Sequence, residues 1–315
     1  MPMEKRRLGR SGIEVSAVGL GCNNFGGRTD FAATRAVVHK ALDLGVTLFD
    51  TADAYGSRGK SEEFLGEVLG ARRKDVVLAT KFGMPMGAPG SGGASRRYIT
   101  QAVEASLKRL RTDWIDLYQV HCPDPNTPIE ETLRALDELM RQGKVRAAGC
   151  SNFSAAEVAA AQQAAARLKV AGLVSCQDEY SLLVRDIEAT LLPTMQESGM
   201  SLLPYAPLAS GFLTGKYRRR EPLPQGARLT YSRHHSDDVI NERNWTMIER
   251  LGEAAARSGH CMLELAFGWL LAKPFVASVI AGATRPEQVE QNVAAAARAP
   301  SPAVIAEIDA ITRER

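Results

Sequence analysis

Two rhythms of apolar residues alternate along the chain. Short β-branched or apolar runs of strand length give way to longer segments whose apolar positions recur at three and four. VSAVGLG, GVTLFD, DVVLATKFG, WIDLYQVH, KVRAAGCS, GLVSCQ, MSLLPY and FVASVIAG read as eight buried strands. Between the first two, Val37, Val38, Ala41 and Leu42 predict a helix within Asp30 to Leu44. SEEFLGEVLG predicts the next helix, and Ile99, Val103, Leu107 and Leu110 predict another. PIEETLRALDELMRQG carries acids in its first turn and Gly143 at its end, as a capped helix should. SAAEVAAAQQAAARL opens on Ser154 with Glu157 three residues later, the signature of a capping box. RDIEATLLPTMQESG, NWTMIERLGEAAARSG, MLELAFGWLLA, RPEQVEQNVAAAA and PAVIAEIDAITRE predict the remaining helices.

Ahead of the first strand, KRRLGRSGIEVS predicts a hairpin turning at Gly9 and Gly12. Residues 84–95, rich in Gly, Pro and Ser, predict a mobile loop, and irregular sequence runs from Ala206 to Ile240. Eight strand–helix units after a hairpin predict an α/β fold, a (β/α)8 barrel (a TIM barrel) forming one domain over residues 1–315. An open doubly wound sheet is the alternative, but no GxGxxG follows the first strand.

Composition narrows the function. The 315 residues are 45% hydrophobic and 24% charged, with a formal net charge of +3. Mixed charge of that size leaves no footprint for nucleic acid, and no apolar run reaches membrane-spanning length. The opening MPMEKRRLGRSG lacks the apolar stretch of a signal peptide, so a cytoplasmic location is expected. Cys22, Cys122, Cys150, Cys176 and Cys261 are scattered without a CxxC, which favours reduced thiols over disulfides or a metal site.

The chemistry concentrates where strands end. Active sites of such barrels lie at the C-terminal ends of the strands. Asp50 ends the second strand, Lys81 the third and His121 the fourth, with Tyr55 in the loop after Asp50. Taken singly, each has an ordinary reading as a cap, a solvated lysine or a packed histidine. Together, Asp50 and Lys81 end apolar runs that bury them, and buried charges need partners. An ammonium beside a phenol lowers its pKa from about 10. Tyr55 is therefore expected to exchange a proton near neutral pH, with His121 orienting a substrate oxygen. A barrel using a metal or a Schiff-base Lys81 is the competing chemistry.

FDTADAYG, ATKFG, DLYQVH, GCSNFS and PYAPLASGFLTGKY, in this order, resemble the aldo-keto reductase superfamily. The similarity runs from RRLGRSG to IAGATRPEQVEQN. It implies NADPH-dependent reduction of an aldehyde or ketone, reversibly, with Tyr55 as proton donor, Asp50 and Lys81 tuning it, and His121 binding the carbonyl. The same motifs resemble the potassium-channel β-subunit branch, which implies the alternative of a cofactor-sensing subunit with little turnover. A sugar or alcohol dehydrogenase working mainly by oxidation is a further alternative.

The resemblance also implies a cofactor path for NADP(H), with NAD(H) as the second choice. Ser151, Asn152 and Gln177 would bind the nicotinamide carboxamide, and Tyr205 would stack on its ring. Cys22 and Asp50 would border the cofactor. Ala206, Pro207, Leu208, Ser210 and Lys216 would meet the pyrophosphate, and Arg233 an adenosine phosphate. Gly282, Thr284, Gln288, Gln291 and Asn292 match adenosine positions. Gln291 stands where many relatives have glutamate, and Arg285 would compensate for the lack of a lysine at Gly282. Asn24, replacing a large aromatic, would join Tyr55 and His121 in a more polar pocket for a small-molecule substrate.

Overall fold

The computed structural model describes residues 3–87, 90–230 and 239–313. A hairpin of β1 (Lys5–Arg7) and β2 (Glu14–Ser16) precedes eight strands. These are β3 (Val18–Gly21), β4 (Leu48–Asp50), β5 (Val77–Phe82), β6 (Ile115–Val120), β7 (Val145–Ser151), β8 (Ser175–Glu179), β9 (Ser201–Tyr205) and β10 (Val279–Gly282). All pair in parallel in the order β10-β3-β4-β5-β6-β7-β8-β9. The last seam closes through a bridge between Leu202 and Val276, with Leu202 N donating to Phe275 O at 2.8 Å and Ala277 N to Leu202 O at 3.0 Å. The predicted barrel and hairpin are both present.

Helices cover the outside: α1 (Phe31–Asp43), α2 (Tyr55–Leu69), α3 (Arg96–Leu110), α4 (Ile129–Arg141), α5 (Ala155–Leu168), α6 (Leu191–Glu197), α7 (Glu242–Ser258), α8 (Met262–Leu271), α9 (Pro286–Ala296) and α10 (Pro302–Arg313). Asp30 caps α1, and the Ser154–Glu157 box caps α5 as its sequence predicts. The segment RDIEATLLPTMQESG differs from expectation. It breaks into a single turn at Asp186–Glu188 and the short α6. Pro193 has no N–H to donate, so it fits only the first turn of a helix, and α6 begins two residues before it. The stretch from Ala206 to Ile240 is less irregular than expected, with 3-10 turns at Ala209–Thr214 and Arg228–Thr230 among its described residues.

Alternation along the strands divides the barrel interior into layers. Leu48, Ala79, Leu117, Ala147 and Leu203 fill the lower part, plugged from below by Leu8, Ile13 and Val15 of the hairpin segment. Full burial of a residue such as Leu8 contributes about 1.5–3 kcal/mol. Two residues further along β4, β5 and β6 the same inward positions hold Asp50, Lys81 and Gln119. Thr80 and Phe82 point outward toward the helices, where Thr80 Oγ1 donates to Glu62 Oε1 of α2 at 2.6 Å. Thus an apolar plug supports a polar layer at the C-terminal rim.

Candidate active site

Asp50, Tyr55, Lys81 and His121 meet at that rim. Lys81 Nζ lies 2.7 Å from Asp50 Oδ2, 2.9 Å from the Thr51 carbonyl and 3.4 Å from the Tyr55 hydroxyl. Both members of the ion pair are buried, with Lys81 0% and Asp50 3% exposed. The Tyr55 and His121 rings meet edge to face with centroids 5.7 Å apart. The backbone fixes the group by extending the β4–β5 ladder past β4. Thr51 N donates to Ala79 O at 2.9 Å and Asp53 N to Lys81 O at 3.0 Å. After Tyr55 the chain takes four positive φ values, from Gly56 (63°) to Gly59 (108°), before α2 becomes regular. A Cβ on Gly56 would come within 2.2 Å of Phe25 O, so only glycine lets the turn pack there.

Charge follows from burial. Burial opposes the Lys81 ammonium, but Asp50 and Tyr55 outweigh it, and its pKa ends raised. His121 is pushed down to about 3 by burial and then by Lys81, so its imidazole is neutral at physiological pH. The tyrosine departs from expectation. Burial raises the Tyr55 pKa, and the opposing influence of Lys81 does not reverse it. The expected lowering fails because the phenol is removed from water along with the ammonium. The site therefore presents a protonated phenol and a neutral imidazole above a buried ammonium. Such a set can donate a proton to an oxygen and then hold the phenolate left behind.

The residues expected along a cofactor path stand as follows. Asn152, at φ +60°, accepts from the Tyr205 hydroxyl at 2.9 Å and donates to Ser151 Oγ and to His121 O, each at 3.0 Å. Gln177 Nε2 donates to Asp50 Oδ1 at 2.8 Å, so its amide engages the ion pair itself. Cys22 is buried, and its N–H donates to Asp50 O at 2.8 Å. Beyond Tyr205, Ala206 and Ser210 have positive φ, and Pro207 and Leu208 lie between them. Lys216 is pulled down by burial and then by Arg285 and Arg28, which marks a cluster of positive charge. Across the seam, Gln288 Oε1 accepts from Thr284 N at 2.7 Å and caps α9. Asn292 is buried and Gln291 exposed. A Cβ on Gly282 would stand 3.2 Å from Asn24 Nδ2, which puts the buried Asn24 at the β3–β10 seam. Arg233 lies outside the described residues.

The aldo/keto reductase family profile matches residues 17–313. The chain belongs to that family.

Like others of the family it is an oxidoreductase. The probable voltage-gated potassium channel subunit beta of Arabidopsis thaliana is 34% identical, over 99% of this chain and 98% of that protein. L-glyceraldehyde 3-phosphate reductase of Escherichia coli (strain K12) is 36% identical, over 93% of this chain and 87% of its own length. The uncharacterized oxidoreductase YrpG of Bacillus subtilis (strain 168) is also 36% identical, over 93% of this chain and 91% of its own length.

Sequence reasoning missed several residues in and behind this rim. Gln119 Nε2 donates to Asp50 Oδ1 at 3.3 Å. The signal was its place two residues after Leu117, on the same face of the strand as that core leucine. Arg28 joins Lys216 and Arg285 from the loop after β3. Behind the wall, Glu62 holds Arg109 Nε at 2.7 Å next to the buried Asp53, a cluster spread over three elements.

Proposed function

We propose that the protein reduces an aldehyde or ketone to the alcohol with NADPH, reversibly. The observation that carries this reading is the Lys81 ammonium held 2.7 Å from Asp50 and 3.4 Å from the Tyr55 hydroxyl. When bound, NADPH supplies the hydride. Tyr55 donates its proton to the carbonyl oxygen, Lys81 stabilises the resulting phenolate, and Asp50 holds Lys81 in place. The neutral His121 directs that oxygen toward Tyr55. Ser151, Asn152 and Gln177 would hold the carboxamide, and Tyr205 would back the ring. The positive cluster of Lys216, Arg285 and Arg28 fits the phosphates and favours NADP(H) over NAD(H). Relatedness to a glyceraldehyde 3-phosphate reductase favours a small, reactive aldehyde as substrate.

The test is consumption of NADPH, followed by its absorbance, across a panel of aldehydes that includes glyceraldehyde 3-phosphate. Turnover with at least one aldehyde is expected, and none across the panel overturns the reading. The similarity to channel β-subunits favours a second reading, a subunit that binds NADP(H) and turns over little. Tight NADPH binding without turnover, together with a stable protein partner, would support that one.

A further inference from the structure

The Asp50 carboxylate receives more donors than an ion pair requires. Lys81 occupies Oδ2, while Oδ1 accepts from two side-chain amides, Gln177 at 2.8 Å and Gln119 at 3.3 Å. The two amides stand at different depths. Gln119 is in register with Lys81 on one side and Gly149 on the other, whereas Gln177 is in register with Ser151. Measured along β7, Gln119 is therefore two residues deeper than Gln177. It is 0% exposed. Gly149 makes its room: a Cβ there would come within 3.2 Å of Gln119 Cγ and 2.7 Å of Ser175 Oγ.

We propose that Gln119 is a positioning residue for the reaction, holding Asp50, and through it Lys81, beneath the proton donor. The inference rests on the reading of Asp50, Lys81 and Tyr55 given above. Gln177 lies at the rim, where its one amide must serve both Asp50 and a nicotinamide carboxamide. Gln119 is fully buried below that level, and its side-chain bond runs to Asp50. Its bond keeps the carboxylate oriented when the cofactor draws on Gln177. Loss of the Gln119 donor lets the carboxylate rotate and carries the ammonium away from Tyr55, so it affects proton donation rather than cofactor affinity.

The experiment compares Gln119→Leu, Gln119→Glu and Gly149→Ala with wild type, using kcat, its pH profile, NADPH affinity by fluorescence, and crystal structures with NADP. Gln119→Leu is expected to lower kcat about tenfold, the loss of one hydrogen bond to a charged group, and to shift the alkaline limb of the kcat profile. NADPH affinity stays within about threefold, since Gln119 makes no bond to the cofactor. Gly149→Ala, which crowds Gln119 without replacing it, is expected to move kcat in the same direction. Gln119→Glu keeps the shape, but its carboxyl donates to Oδ1 only while protonated and repels it once ionised, so it is expected to change the pH profile and to lower kcat as pH rises. It also decides the matter if the leucine variant does not fold. In the Gln119→Leu structure Asp50 should be rotated and the Lys81–Tyr55 contact longer. Wild-type kcat and pH profile in Gln119→Leu or Gln119→Glu, or an unmoved Asp50, would overturn the proposal. A wild type without turnover counts against carbonyl reduction instead, and the position of Asp50 in the variant structure then decides the role of Gln119 by itself.

Discussion

Replacing Asp53 by asparagine should make the protein more stable at high pH and change little at low pH. Asp53 is 1% exposed, and its Oδ1 has no hydrogen-bond partner among the described residues. Its Oδ2 accepts a long bond, 3.4 Å, from the Tyr98 hydroxyl. Glu62 stands close by and takes the Arg109 Nε at 2.7 Å, leaving one guanidinium to two carboxyls. Burial first, and Glu62 second, push the Asp53 pKa from 3.8 up to about 7. A shift of roughly three units corresponds to about 4 kcal/mol between the two protonation states. The unfolded chain gives up this proton above about pH 4, whereas the folded chain keeps it until about pH 7. Between those values the folded state binds more protons, so rising pH favours unfolding. Stability from this group is intact below about pH 4 and is lost by about pH 7, to a total on the order of 4 kcal/mol. The carboxamide introduced by Asp53→Asn has no proton to lose. Urea unfolding of both proteins at about pH 4 and about pH 8 should show the Asp53→Asn advantage growing with pH by up to that amount. Parallel stability curves for the two proteins would refute the reasoning.

Two further outcomes are expected. Lys216→Ala and Arg285→Ala should each weaken NADPH binding about tenfold at low salt and reduce its salt dependence, because the charge of Arg285 is near enough to lower the Lys216 pKa; fluorescence titrations at two ionic strengths measure this, and unchanged affinity contradicts a phosphate site there. Since His121 is held neutral with a pKa of about 3, the wild-type kcat profile should contain no limb from its protonation above about pH 5. An acid limb near neutral pH that disappears in His121→Gln would show the imidazole titrating after all.

Much of the architecture is legible because its causes are local. Apolar runs that stop on Asp50 or Lys81 are both strand and site signals, since a charge at the end of a buried strand demands a partner. Gly9 and Gly12 set the hairpin turn, and Ser154 with Glu157 sets a helix start. What stays hidden depends on contacts between distant elements. Gln119 looks like an ordinary polar residue until β4, β6 and β8 bring two amides to one carboxylate. Asp53 reads as a loop acid until α2 and α3 enclose it with Glu62, Arg109 and Tyr98. The direction of the Tyr55 shift runs against the sequence expectation for the same reason: proximity to Lys81 is visible in the motif, but the burial that outweighs it is a property of the assembled rim.

The central claim is that Tyr55 protonates a carbonyl oxygen as hydride reaches its carbon. It is tested most directly by a single turnover of enzyme loaded with NADPH deuterated at the transferable position, mixed with an aldehyde that the wild type accepts. The account predicts one deuterium on the carbonyl carbon of the product alcohol. It also predicts that Tyr55→Phe binds the cofactor normally but transfers the label about 100 to 10,000 times more slowly. An unlabelled alcohol, or a Tyr55→Phe enzyme transferring at the wild-type rate, would contradict it.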